Sequence, residues 1–312
     1  MRLTHRTHLP PRPSGSALDA DIPWYTQFIP HEPGTGRLRA RPAGVEAVLA
    51  GGTMSTAADR AIAARLTAAA PDFAAWLAAH RLVQQRALRY AVDVLGLRQV
   101  LELGCGHWTS PGSAYSWIWR WETNHPGQRL RYVGLDADPI VTGAIHQGTG
   151  TWPAHTVVRG DLANLGTLCD GIRLAGQLDL TAPVLVLATG VLQHLDRPGP
   201  VLSEARAQAC AGSVLAVSHP ALPARASTEL YDAIEEYRRD VAPWWPRLAS
   251  AAGEILSAWS VPPGDIMPVG RWHPPTPTPG DNDPVPVPVA DAPGWAALAV
   301  IPHTSFPERG RA

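Results

Sequence analysis

With 312 residues, 45% hydrophobic and 17% charged, the chain can bury a sizeable core as one large domain or one domain with an appendage. A net charge of -1 and a pI near 6.9 give no electrostatic case for nucleic acid, and no apolar run is long enough to span a bilayer. The three cysteines, Cys105, Cys169 and Cys210, lack the CxxC spacing of a zinc site or disulfide framework, so the expectation is a cytoplasmic chain with no metal and small or neutral partners.

Residues 1–20 are polar and Pro-rich, without the apolar core of a signal peptide, and read as a disordered tail. Residues 21–96 read as a helical lid or extension. In it, Thr56-x-x-Asp59 resembles a capping box ahead of AADRAIAARLTAAA, and Pro71 stands where a first helical turn tolerates it. In the next helix Phe73, Trp76, Leu77, Val83, Ala87, Ala91 and Val94 recur at helical spacing before Gly96 stops it, which predicts a face packed on a sheet.

From Gln99 the chain alternates strand and helix signals. QVLEL, LRYVGLD, HTVVRGD, PVLVLATG and SVLAVSH read as short, continuously apolar strands. PGSAYSWIWRWETN, begun by Pro111, and PVLSEARAQAC read as helices between them. This order predicts an α/β fold over residues 97–303, with a mostly parallel sheet covered on both faces. Two further strands are expected around Ile266–Trp272 and Trp295–Ile301, separated by an exposed Pro-rich loop over 274–293, with a tail over 304–312.

Ligands of open α/β sheets bind at the carboxyl ends of the strands, where this chain carries its most suggestive residues. The first strand holds Glu102 and ends in Gly104-Cys105-Gly106, the second ends in Asp136, the third in Gly160-Asp161-Leu162, and the fourth in Thr189-Gly190. Asp136 suits ribose hydroxyls and Asp161 an exocyclic amine; a helix cap is the alternative for either acid, made less favourable by their shared position at strand ends. Asp136 lies 30 residues after Gly106, beyond the roughly 20 of a nicotinamide fingerprint, and the third glycine of GxGxxG is missing. A nicotinamide cofactor is therefore disfavoured.

LELGCG, LDADP, RGDL and ATGVLQHL resemble the successive motifs of class I S-adenosylmethionine-dependent methyltransferases. The closer resemblance is to a bacterial S-adenosyl methyltransferase family first catalogued as a domain of unknown function. It rests on Thr109-Ser110-Pro111-Gly112, Asp136-Ala137-Asp138-Pro139, Ser218-His219, Leu49 to Gly52, Thr56 to Arg60, and Pro262 to Pro275, and runs from about Asp21 onward. It implies a Rossmann-like fold with a mostly parallel seven-stranded sheet and an N-terminal helical lid. It also implies S-adenosylmethionine as cofactor, contacted by Glu102, Gly104, Cys105, Gly106, Asp136, Ala137, Asp161, Leu162, Thr189 and Gly190. Glu102 has two readings, an acid near the cofactor's ammonium or a satisfied structural carboxylate. The family's aromatic Tyr-Asp-Tyr is here Val45-Glu46-Ala47-Val48, and its Asn-Arg is His80-Arg81; both departures fall on the lid.

Should the acceptor need a base, His194 and His219 are the candidates, against the alternative of imidazoles satisfying backbone groups at strand ends. Cys105 reads as a small buried residue rather than a nucleophile. Trp117 and Trp121 share a helix face and are expected to pack on the sheet, while Trp244-Trp245 points to an apolar or aromatic small-molecule acceptor. The expectation is a methyltransferase acting on a small molecule, O- or N-directed, with no nucleic-acid or membrane partner. A noncatalytic binding protein of the same fold and a nucleotide-dependent oxidoreductase stay open beside it.

Overall fold

Five apolar runs form β1 (Gln99–Leu103), β2 (Arg131–Asp136), β3 (His155–Arg159), β4 (Leu185–Thr189) and β5 (Val214–Pro220). They pair in parallel in the order β3-β2-β1-β4-β5, so the order reverses between β1 and β4. β6 (Met267–Pro268) and β7 (Gly294–Val300) complete a seven-stranded sheet, β7 running antiparallel to β5. This is a mostly parallel Rossmann-like sheet. The computed structural model describes residues 39–302 except 72, 149–153, 223–225, 260, 277 and 279–286, so the expected tails over 1–20 and 304–312 lie outside the described residues.

Strand parity assigns each side chain to one of two cores, because successive residues point to opposite faces. Val100, Tyr132, Leu187 and Ala216 face α3 (Phe73–Arg89) and α4 (Ala114–Asn124). Leu101, Val133, Val186 and Val217 face α6 (Leu165–Leu174) and α7 (Pro198–Gln208). α5 (Pro139–Gly148) lies beside β3, and α9 (Ala252–Ile255) against α7. Every residue of β1 and β5 is buried, as expected of strands covered on both sides. Glu102, sharing the parity of Val100, is therefore directed at α3.

α3 lies across β4 and β5 and passes through a π-helical turn at Tyr90–Val94 before Gly96, at φ +70°, ends it. Phe73, Trp76, Val83, Ala87 and Ala91 are buried on it, whereas Leu77 is half-buried and Val94 is exposed. The π turn rotates Val94 off the buried face. Pro71 precedes the first helical residue rather than occupying the first turn.

α1 (Pro42–Leu49) and α2 (Ala57–Ala69) are fastened by one carboxylate. Thr56 and Asp59 form the capping box, with Asp59 Oδ2 accepting the Thr56 amide at 2.7 Å and Thr56 Oγ1 accepting the Asp59 amide at 3.2 Å. Fully buried Asp59 also pairs with Arg41 at 3.1 Å, and Arg41 reaches Asp138 just past β2 at 2.6 Å. The chain before β1 is thereby tied to the strand end where ligands of such sheets bind.

Several boundaries differ from expectation, among them that of α7, which begins at Pro198 rather than Pro200. α4 starts at Ala114, because the Ser113 hydroxyl caps it by accepting the Ser116 amide at 3.2 Å, while Pro111 and Gly112 form the preceding turn. The strand expected over Ile266–Trp272 shrinks to two residues, since Val269–Arg271 coils into a 3₁₀ turn and buried Arg86 takes the Trp272 carbonyl. Of the Pro-rich excursion, residues 277 and 279–286 lie outside the described residues. Pro274 and Thr278 are buried, and α10 (Val287–Ala290) sits so close to Gly270 that an added Cβ would stand 1.9 Å from the Val289 carbonyl oxygen.

Candidate cofactor and acceptor site

The turn after β1 is built for close approach. Gly104 has φ +67°, and a Cβ there would stand 2.3 Å from Val191 Cγ2. Gly106 has φ +60°, yet a Cβ there would meet nothing within 4 Å, so its backbone faces open space beside the reversal point. Asp136 stands across from it. Its Oδ2 accepts the Gly106 amide at 2.9 Å, and its Oδ1 accepts the Asp138 amide at 2.9 Å. Burial pushes the Asp136 carboxyl up to about 6, against the pull of these amides. Ala137 is exposed beside it. Cys105 is buried, its amide bonded to the Leu135 carbonyl at 3.0 Å and its thiol pushed well up by burial.

Behind this turn Glu102 is fully engaged by the protein. Gln84 Nε2 donates to its Oε1 at 2.5 Å and Tyr132 Oη to its Oε2 at 2.5 Å, while the same Gln84 nitrogen lies 3.0 Å from Thr189 Oγ1. Burial pushes the Glu102 carboxyl up to about 7. At the end of β3, exposed Asp161 accepts the Ala163 amide at 2.9 Å, capping a 3₁₀ turn, and Leu162 is buried in the core under α6. Gly190, at φ +65°, closes β4 next to His80.

The model of the S-adenosyl methyltransferase family matches residues 35–301. The chain belongs to that family. Among solved structures, a DUF574 family protein from Streptomyces avermitilis MA-4680 is 24% identical, with a TM-score of 0.70 over 85% of this chain and 98% of that one. A "putative methyltransferase" from Thermobifida fusca YX is 20% identical, with a TM-score of 0.68 over 85% of this chain and 96% of that one. No curated protein matches significantly. The fold expectation and the family expectation both stand, and the chain is an S-adenosylmethionine-dependent methyltransferase by family.

In this methyltransferase the two imidazoles proposed as bases are held by the protein. His219 has the parity of Val217, away from α3; it stacks on Trp295 with centroids 5.4 Å apart. Its Nδ1 lies 2.8 Å from the Pro220 carbonyl and its Nε2 3.3 Å from Arg247 Nη1. His194 Nδ1 lies 2.8 Å from the Pro243 carbonyl and its Nε2 3.3 Å from Gln193 Nε2. Burial lowers both imidazoles to about 4. They are neutral at neutral pH, with both nitrogens engaged.

His80 lies on the buried face of α3, opposite β5. Its Nδ1 lies 2.7 Å from Ser218 Oγ, its Nε2 has no partner among the described residues, and burial lowers it to about 3. Trp76, His80 and Gln84 form one i, i+4 row on the buried face of α3, and two polar residues in such a row are the signal that marks them. Trp117 and Trp121 stack at 6.5 Å in the core, with Trp121 Nε1 donating to Asp93 at 2.9 Å, and Trp119 is exposed. Trp244 is buried, whereas Trp245 is part-exposed beneath the Arg238 guanidinium at 5.1 Å. No helix among the described residues is long and apolar enough to cross a membrane, and no His, Cys, Asp and Glu group among them is placed to hold a metal ion.

Proposed function

We propose that the chain binds S-adenosylmethionine at the carboxyl end of β1 and transfers its methyl group to an oxygen or nitrogen of a small molecule. The observation that carries this reading is the pairing of Gly106, whose backbone faces open space, with Asp136 at the reversal of strand order. A carboxylate there accepts hydrogen bonds from both ribose hydroxyls, and a backbone free of side chains at 104 and 106 admits the methionine and ribose portion. The Asp161–Leu162 turn would frame adenine, and Thr189 and Gly190 would border the methyl end.

When bound, the cofactor supplies a methyl group already activated by a sulfonium. What remains for the protein is alignment of the nucleophile and exclusion of water. α1, fastened to α2 and to the end of β2 by the Arg41–Asp59–Asp138 cluster, lines with α3 the space beside Gly190. The net charge of -1 supports a small molecule rather than nucleic acid as acceptor.

Calorimetric titration with S-adenosylmethionine and with NAD tests the cofactor, and turnover to S-adenosylhomocysteine with a small-molecule panel tests the transfer. Saturable S-adenosylmethionine binding with turnover is the expected result. Binding of NAD alone would overturn the reading.

A further inference from the structure

A narrow chamber under α1, with a cavity volume of about 30 Å³, adjoins the strand ends that the cofactor reading leaves to the acceptor, so a ring-sized guest enters as the lining side chains move apart. Phe73 and Trp76 of α3, Trp244 after β5, and Tyr237 of α8 (Thr228–Asp240) form an aromatic cup. Trp244 is the hub, with ring centroids 5.8 Å from Phe73, 5.6 Å from Trp76 and 5.0 Å from Tyr237. The cup is bordered by Gly190 and Gln193 beyond β4 and by Pro220 at the end of β5. These rings pack mostly edge-to-face on one another, and a flat aromatic guest would extend the same packing.

The cup is not simply apolar. Among the described residues, Trp76 Nε1, His80 Nε2, Gln193 Oε1, Tyr237 Oη and Trp244 Nε1 are all buried without a hydrogen-bond partner, and all five residues line this chamber. Buried polar atoms are ordinarily paired, so five orphans converging on one chamber point to a guest that brings its own polar group. His80 is nine-tenths buried and fixed from behind by Ser218. Glu46 of α1 lines the same chamber, half-buried, and no side-chain hydrogen bond engages it among the described residues.

Resting on the methyl-transfer reading above, we propose that this chamber receives a flat aromatic molecule bearing a hydroxyl, with Glu46 accepting the hydroxyl proton and His80 positioning the oxygen. The hydroxyl proton passes to a Glu46 oxygen as the acceptor oxygen forms its bond to the methyl carbon. The carbon–sulfur bond breaks with its electron pair retained by sulfur, leaving a methyl ether, a neutral thioether and a protonated Glu46. That proton returns to water at the partly exposed edge of α1.

The charged and titratable groups around Glu46 are Arg81 and His80 of α3, Tyr237 of α8, Asp136 at the end of β2, and Asp59 of α2, which is paired with Arg41. Burial pushes the Glu46 carboxyl up to about 7, opposed by Arg81 and reinforced by Asp136. Its proton-accepting form therefore grows in as pH rises through neutrality.

The test is calorimetric titration of the full chain with 2-naphthol, with naphthalene as control and S-adenosylhomocysteine measured separately. Saturable 2-naphthol binding is expected, at least about tenfold tighter than naphthalene and weakened about tenfold or more in both Trp244→Phe and His80→Ala, with S-adenosylhomocysteine affinity retained. Binding of 2-naphthol should strengthen as pH rises through about 7, and Glu46→Gln should flatten that dependence. S-adenosylhomocysteine binding without 2-naphthol binding, or 2-naphthol affinity indifferent to Trp244→Phe and His80→Ala, would overturn the assignment of the chamber. A pH dependence unchanged in Glu46→Gln would overturn the role of Glu46. Failure of S-adenosylhomocysteine to bind would instead overturn the methyl-transfer reading, with the 2-naphthol titration still deciding the chamber.

Discussion

Asp136 and Gly106 close a hydrogen bond of 2.9 Å across the end of the sheet, joining two residues 30 apart in the chain. The carboxylate is thereby aimed at the backbone that faces open space. Asp136→Ala removes charge-assisted hydrogen bonds to the ribose and is expected to weaken S-adenosylmethionine binding by about 1–3 kcal/mol. Calorimetry reads this directly, and unchanged affinity would remove Asp136 from the site.

The two glycines of the turn should fail differently. Gly104→Ala places a Cβ 2.3 Å from Val191 Cγ2 at φ +67°, so it combines overpacking with backbone strain and should lower unfolding stability by about 2 kcal/mol or more. Gly106→Ala meets no atom within 4 Å, so its stability cost should be confined to about 1–2 kcal/mol of left-handed strain. Its larger effect should be on cofactor affinity, because the new methyl enters the space the cofactor would approach. Urea unfolding and calorimetry on the same two variants separate the effects; equal stability losses with equal affinity losses would contradict this division.

Breaking the buried cluster at the base of α1 should be costly. Asp59 has no exposure and serves both the Thr56 cap and Arg41, so Asp59→Ala leaves a buried guanidinium with one partner fewer. A loss of about 3–5 kcal/mol is expected, measured by chemical denaturation. A loss below about 1 kcal/mol would mean that Arg41 is satisfied by Asp138 alone.

Stability should depend on pH through groups of opposite sign. His80, His194 and His219 are lowered to about 3, 4 and 4 when folded, so between about 4 and 6.5 the unfolded chain binds more protons. Their contribution is full above about 6.5 and is lost as pH falls. Glu46 and Glu102 are raised to about 7, so between about 4.5 and 7 the folded chain binds more protons, and their contribution is lost as pH rises. In thermal melts across this range, His219→Gln should flatten the acid limb and Glu102→Gln the decline toward neutrality. Curves parallel to the parent in both variants would show that neither group is linked to folding.

Much of the fold is legible because its signals are local. β1, β2, β4 and β5 are continuous apolar runs, and a buried parallel strand needs nothing else to announce itself. The Thr56–Asp59 cap is a four-residue pattern with a reciprocal hydrogen bond. β6 is less legible, since the Val269–Arg271 turn and Arg86, distant in the chain and holding the Trp272 carbonyl, end it after two residues. The start of α4 turned on whether Pro111 or Ser113 begins the helix, and only Ser113 has a hydroxyl to accept an amide of the first turn.

Legible in the chain alone are the five parallel strands in their order, the glycine turn at Gly104 and Gly106, and the acids at the ends of β2 and β3, whereas the helices Pro139–Gly148 and Leu165–Leu174 are not. Each legible feature depends on residues within one short segment, where periodicity, glycine and chain chemistry act without distant partners. That Gln84 bridges Glu102 and Thr189, residues 18 and 105 positions away, and that Ser218 holds His80 while His219 turns to the other core, follows from packing between distant elements. The physical reason is strand parity combined with the placement of α3. A strand's alternation fixes that two neighbours diverge, but which of them meets the site depends on the helix packed against that face.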